Sequence, residues 1–322
     1  MFMTDEYHAA RNTCAVIREP WMGLLRLTGP ERQTWLQGMV SNDVAKLEPG
    51  TGCYAAHLNA QGKVVAQMIV LAAKEEILLL VERNASAKLA TVFDRLIIME
   101  DVQIHDSSED YEVIAVIGPR SEEVIQALDQ VSLPRELYGH SNLNTGRVVR
   151  SDLGYELLVP RQSGLSVIQR LTLIEAGAID IGEPTWHVLR AEAGLPLYGV
   201  DVDETTTLPE LGQRGISYDK GCYIGQEVVA RIKYIGHVNR NFVGFVCEGS
   251  LVAESRAAVF AQDKEVGYVT TAVFSPHLQK PIALGFVNRV AAQPGTEVSL
   301  VGKAGSIAAR VAALPFVPRR AD

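Results

Sequence analysis

At 322 residues, with 47% hydrophobic and 21% charged side chains, the chain is too long for one ordinary core and has the make-up of a water-soluble protein of two or three domains. A formal net charge of -8 excludes a protein built around a broad nucleic-acid face, while leaving room for a small local RNA contact. Cys14, Cys53, Cys222 and Cys247 stand far apart without a C-x-x-C pair, so no zinc ribbon or self-contained cluster site is legible, and no intrinsic metal is expected. Asp5, Glu6, His8 and Arg11 fall where a signal peptide requires an apolar run, and no apolar segment reaches the ~18 residues of a membrane span. A cytoplasmic protein with reduced thiols and no membrane attachment is the expectation.

In chain order, residues 24–27 read as a strand that meets Thr28-Gly29-Pro30-Glu31, a helix start, with Gly38 as its end. The same strand, Gly-Pro, helix unit recurs at 113–117, Gly118-Pro119 and 121–128, which hints at an internal duplication. Ser41-Asn42-Asp43 suits capping or turning the chain. Residues 53–58 and 63–71 form the arms of a hairpin about Asn59-Ala60-Gln61-Gly62. A strand at 77–81 precedes a helix at 86–96, whose Leu89, Val92, Phe93 and Leu96 share one face.

Residues 146–152 and 155–159 flank Gly154 as a second hairpin, in which spacing alone makes Glu156 the polar member of an alternating strand. An amphipathic helix is expected over 165–176, and Glu183-Pro184 opens another. In that second helix Arg190 and Glu192 diverge, because side chains two apart on a helix point to different sides. Glu192 is expected to make a structural bond, and for Arg190 the spacing leaves open a buried ion pair with Glu156.

Past Gly225 the apolar residues Val228, Val229, Ile232 and Ile235 recur at helical spacing, with Glu227 and Arg231 as a favourable i,i+4 pair. Gly221 and Gly225 bracket Cys222 just ahead of this helix, with Lys220 two residues away. A helix N-terminus and a cation both favour a thiolate, so an accessible, reactive Cys222 is expected, against the alternative of a packed core thiol. His237, at the helix end, caps carbonyls or, less simply, ligates a metal. Beyond Arg240 six short β-like runs at 242–246, 257–261, 266–272, 282–287, 296–300 and 307–311 predict a small antiparallel barrel, ending in a loose Pro-Arg-Arg tail.

The string Lys220-Gly221-Cys222-Tyr223-Ile224-Gly225-Gln226-Glu227 resembles the signature of the YgfZ-type folate-binding iron–sulfur proteins, a branch of the glycine-cleavage T-protein (aminomethyltransferase) superfamily. Gly154-Tyr155-Glu156 is similar to that superfamily's Gly-aromatic-Glu. The stretch from Leu189-Arg190 through Glu192-Ala193-Gly194 to Leu197-Tyr198-Gly199-Val200-Asp201 is similar to its Leu-Arg-x-Glu-Ala-Gly and Leu-Tyr-Gly-x-Asp. The resemblance implies an α+β fold, a T-protein-like ring of three domains: two related folate-binding domains within 1–240 and a C-terminal small antiparallel β-barrel over 241–322. It also implies tetrahydrofolate, or a derivative, held by Glu156 and Arg190, with Asn42, Asp43, Gln67 and Tyr198 close by and Cys222 as the working thiol at the rim. A pterin ring N–H and 2-amino group form a donor pair that one carboxylate accepts in parallel.

One departure stands out: where T-proteins carry an Asp-Asp pair, this chain has Ala66 and Gln67, and a carboxamide exchanges no proton near neutral pH. The leading expectation is therefore a folate binder that supports assembly or repair of iron–sulfur clusters in client enzymes, tRNA-modifying ones among them. Its partners are reduced folate and client or assembly proteins, and its state a monomer. Any cluster held at Cys222 must share ligands with another chain, a small thiol or Cys53. The alternative is a tetrahydrofolate-dependent aminomethyltransferase or methyltransferase that has moved its acid, with Asp43 as the best substitute.

Overall fold

The computed structural model describes residues 2–162, 170, 172–303 and 305–318. The helix expected over 165–176 lies in large part outside them, as does the Arg319-Arg320 tail. The chain divides into two compact units, Met1–Gly182 with Arg214–Val228 and Glu183–Gln213 with Val229–Asp322.

The first unit begins with α1 (Phe2–Asn12), β1 (Ala15–Arg18), β2 (Met22–Thr28) and α2 (Arg32–Gln37). A hairpin of β3 (Thr51–Leu58) and β4 (Val64–Ala72) leads to β5 (Ile77–Glu82), α3 (Arg83–Leu96) and β6 (Gln103–Asp106). There follow β7 (Tyr111–Ile117), α4 (Ser121–Gln126), β8 (His140–Leu143), β9 (Gly146–Arg150), β10 (Gly154–Pro160) and β11 (Ile179–Asp180). Two sheets result, ordered β3-β4-β5-β2-β6 and β11-β1-β7-β10-β9-β8. Every pairing is antiparallel except β1 with β11.

The sequence explains why these strands sit inside. From Ile77 to Val81 every side chain of β5 is buried, the unbroken apolar run of a strand covered on both faces. Leu89 and Phe93 of α3 are buried as well, and the Phe93 ring meets Trp35 and His57 edge-on at 5.3 and 4.9 Å. Both strand, Gly-Pro, helix units are present, β2 into α2 and β7 into α4.

In the second unit, α5 (Glu183–Glu192) precedes six strands: β12 (Arg240–Cys247), β13 (Ala258–Ala261), β14 (Lys264–Ser275), β15 (Lys280–Asn288), β16 (Glu297–Gly302) and β17 (Gly305–Ala312). They close in the order β12-β15-β14-β13-β16-β17, the expected antiparallel barrel, around Phe245, Val259, Val269 and Leu300. Ala191 of α5 packs on Ile282 and Leu284. A final helix, α6 (Gln226–Tyr234), begins with the last two residues of the signature, and it is shorter than the apolar pattern implied. Val229 is buried, whereas Ile235 lies beyond the helix and is 86% exposed. Among the described residues no helix is long and apolar enough to cross a membrane.

Candidate functional site

Glu156 lies on β10, half-buried, with Val149 and Ala115 as its neighbours across the sheet. Its Oε2 is shut off from solvent and has no hydrogen-bond partner among the described residues. Burial, reinforced by the nearby Asp152 charge and only partly offset by a bond from Ser151, pushes its carboxyl up to about 7. Such a group exchanges a proton at neutral pH and accepts hydrogen bonds readily once a donor arrives.

Gln67 of β4 is buried and repeats the pattern. Its Nε2 donates to the Tyr54 hydroxyl, a diagonal cross-strand pair on the β3–β4 hairpin, and its Oε1 is buried with no partner among the described residues. Tyr54 in turn lies under Arg214, whose guanidinium carbon is 4.4 Å from the ring centroid. Arg214 also donates to Tyr138 and to Asp152, and the Tyr138 hydroxyl donates to Asp152 at 2.9 Å. Burial works against the Arg214 charge, but Asp152 and the two tyrosines outweigh it and hold the guanidinium above its ordinary value. Burial raises both phenols, so Tyr54 and Tyr138 stay protonated. Glu156 Oε2 and Gln67 Oε1 are thus two buried acceptor oxygens without donors among the described residues, linked to Arg214 through Asp152 and Tyr54.

The signature segment is laid over the turn after α2. Ser217 N and Ile224 N donate to Ser41 O and Gly38 O, and Ser41 Oγ donates to Gly215 O at 2.6 Å. The Lys220 ammonium donates to Gln37 O, Val40 O and Asn42 O at 2.6, 2.7 and 2.8 Å. Burial pushes Lys220 down to about 8, opposed by the Asp43 charge. Lys220 is therefore an anchor for the segment, a task the sequence did not disclose. Tyr223 is buried, its phenol pushed up to about 12 by that burial.

Gly225 has φ +84, and a Cβ there would lie 2.6 Å from Asn59 O, so only glycine fits where the segment crosses the hairpin turn. Gln226 and Glu227 open α6. Cys222 is exposed but sits four residues before the first helical residue, not in its first turn. Cys14 and Cys247 are buried and Cys53 half-buried, with burial pushing Cys53 up to about 12, a protonated thiol at neutral pH. Ellman's reagent is expected to titrate one thiol per chain in the native protein and four in denaturant. A fast native count of zero would return Cys222 to the interior.

Asn42 and Asp43 serve the local backbone and each other. Asn42 Nδ2 donates to Tyr54 O and Asn42 Oδ1 accepts from Asp43 N, both at 2.9 Å. Asp43 takes the Lys46 ammonium at 2.8 Å and Gln37 Nε2 at 2.9 Å, and the Lys46 bond holds its carboxyl below the usual range. Asp43 is therefore an anion at neutral pH.

In the second unit Arg190 is 2% exposed and engaged throughout. It donates through Nε to His187 Nδ1, through Nη1 to Leu195 O and Asp201 Oδ2, and through Nη2 to Thr271 Oγ1. Asp201 Oδ1 accepts from Thr270 and Thr271, which the bulge in β14 turns to the same side. Glu192 accepts from Ser275 Oγ at 2.5 Å, the structural bond expected of it. Arg190 and Glu192 thus reach β14 at different points, Thr271 and Ser275. Tyr198 is half-buried and bridges Val202 in parallel. His237 is exposed, and Arg231 O, near the helix end, is taken by the backbone of Ile235 and Gly236.

Tyr54, Tyr138, Asp152 and Arg214 escape a sequence reading. Asp152 had one signal, a second acid four residues from Glu156 across the Gly154 turn. The other three come from remote segments that only the folded sheets bring together.

An α+β unit with a buried, donor-seeking carboxylate, joined in one chain to a six-stranded antiparallel barrel, is the class that these features define. Residues 1–217 match the GCVT N-terminal domain and residues 240–318 the glycine cleavage T-protein C-terminal barrel domain. The chain belongs to the glycine-cleavage T-protein superfamily. It is 30% identical to an aminomethyltransferase of Nostoc sp. over 94% of this chain and 85% of that protein. To an aminomethyltransferase of Halothermothrix orenii it is 27% identical over 97% of this chain and 91% of that protein. Its fold follows that of glycine cleavage system aminomethyltransferase T from Bartonella henselae, with a TM-score of 0.90 at 21% identity, over 98% of this chain and 89% of that one.

Proposed function

We propose that the protein binds tetrahydrofolate and acts on the one-carbon unit it carries, as an aminomethyltransferase-type protein. The observation that carries the reading is the pair of buried acceptors without donors, Glu156 Oε2 and Gln67 Oε1. A pterin supplies ring N–H and amino donors for such oxygens, and a carboxylate takes two of them in parallel. The end-to-end similarity to aminomethyltransferases supports transfer as the activity. Reduced folate supplies the carbon unit and the ring nitrogens that bear it. Glu156, in its ionised form, accepts the pterin donors, and Tyr54, held under Arg214, fixes the Gln67 carboxamide.

A second reading, support of iron–sulfur client proteins as in the YgfZ-type branch, is favoured by two features of this chain. The acid position holds Gln67, and the clamped signature loop presents Cys222 to solvent. Incubation with methylene-tetrahydrofolate, ammonia and a carrier protein in its reduced, dihydrolipoyl form separates the two. Carrier-dependent consumption of the folate, lost in Glu156→Gln, is the expected result. Stoichiometric folate binding without turnover turns the assignment to the second reading.

A further inference from the structure

The first unit holds a cleft, about 680 Å³ in volume, that shares no lining residue with the Glu156 cluster. Its size is that of a small-molecule site. Arg26 at the end of β2, Lys74 and Glu76 in the β4–β5 turn, His140 and Asn142 of β8, and Arg147 of β9 form its walls.

The charges in this cleft do not balance. Arg26 donates from Nε to Glu76 Oε2 at 2.9 Å, with Nη2 2.8 Å from the same oxygen. Arg147 Nη2 reaches the other oxygen of that same Glu76 at 3.5 Å. Arg147 Nη1 donates to His140 Nδ1 at 3.1 Å, and His140 Nε2 donates to Ala72 O at 2.8 Å. With both ring nitrogens so used, His140 is neutral and contributes no counter-charge. Two guanidiniums therefore share one carboxylate. Exposed Lys74 and Glu75 at the rim cancel, which leaves one positive charge in excess among the lining residues; Asp110, outside the lining, acts on Arg26, whose side chain is 38% exposed against 14% for Arg147.

Arg–Glu–Arg triads also serve structure alone, so what marks this one is its place in the wall of an open cleft. Arg26 Nη1 and Arg147 Nε have no hydrogen-bond partner among the described residues. A guanidinium fork is the group best shaped to receive a planar or tetrahedral oxyanion. Arg32 Nη2 holds Lys74 O at 2.8 Å and so keeps the rim turn in place.

We propose that this cleft is a second ligand site, for the oxyanion group of a small phosphorylated or polycarboxylate metabolite, which completes the charge of the Arg26–Glu76–Arg147 triad. The site is independent of the folate reading. Calorimetric titration of the full chain at low ionic strength with inorganic phosphate, and separately with citrate, tests it and distinguishes the two sources. One saturable site is expected for at least one of these anions. Arg26→Gln weakens it about tenfold or more, the worth of one charge-assisted bond. Glu76→Gln, which removes the competing carboxylate, strengthens it by a similar factor. Tetrahydrofolate affinity is unchanged in both variants. Absence of saturable binding by either anion, binding indifferent to Arg26→Gln, or weakening by Glu76→Gln overturns the assignment. The last result would mean that the triad is a structural bridge.

Discussion

Replacement of Arg190 by leucine is expected to lower the free energy of unfolding by about 3–5 kcal/mol in urea titrations followed by circular dichroism. The cause is the partner left behind. Asp201 is completely buried and meets Arg190 Nη1 at 2.8 Å. Its remaining bonds come from neutral donors, Leu197 N and the Thr270 and Thr271 hydroxyls, which orient a carboxylate without cancelling its charge. Breaking such a pair from one side strands the other charge in a poorly solvating interior. The double variant Arg190→Leu with Asp201→Asn should accordingly recover part of the loss, a non-additivity expected of groups in direct contact. A single variant as stable as the parent, and deficient only in tetrahydrofolate binding, would move Arg190 from the barrel's anchorage to the ligand.

That residue also marks where reading the sequence reaches its limit. The barrel was legible because each of its six strands is a short apolar run between turn formers, a local pattern. The β3–β4 hairpin was legible for the same reason, with Asn59 and Gly62 supplying the turn: Asn59 Oδ1 accepts from Gln61 N and Lys63 N. The superfamily motif points Arg190 at a ligand, whereas its buried partner Asp201, eleven residues on, is no local neighbour. Lys220 was misread for a similar reason. Beside Cys222 in sequence, its ammonium spends its three protons on carbonyls some 180 residues away. Glu156 was recognisable through a motif, but its chemistry was not, because the carboxyl's rise comes from burial and from Asp152, both products of folding. Distant pairing is what periodicity cannot report, and the candidate site consists almost wholly of distant pairs.

Glu156→Gln carries the second large effect, in which stability and binding move in opposite directions. Folding raises the Glu156 carboxyl from about 4.5 to about 7. The folded state therefore holds a proton that the unfolded chain has released across that window. The sign follows: this group's contribution is intact below about 4.5, falls as pH rises to about 7, and is flat above. Glutamine has no proton to lose, so the variant should match the parent near pH 4.5 and exceed it by about 2–3 kcal/mol at pH 8 in the absence of ligand. Tetrahydrofolate binding should weaken roughly 10- to 100-fold, since an acceptor carboxylate for ring N–H and amino donors is replaced by a neutral amide. In the parent, affinity should also rise from pH 6 to 8 as the carboxyl ionises to receive those donors, and in the variant it should be level. A residue kept for packing would behave the other way, with its loss lowering stability at every pH and leaving affinity alone. Fluorescence titration of parent and variant at pH 6, 7 and 8 decides whether this buried acid receives the reduced pterin.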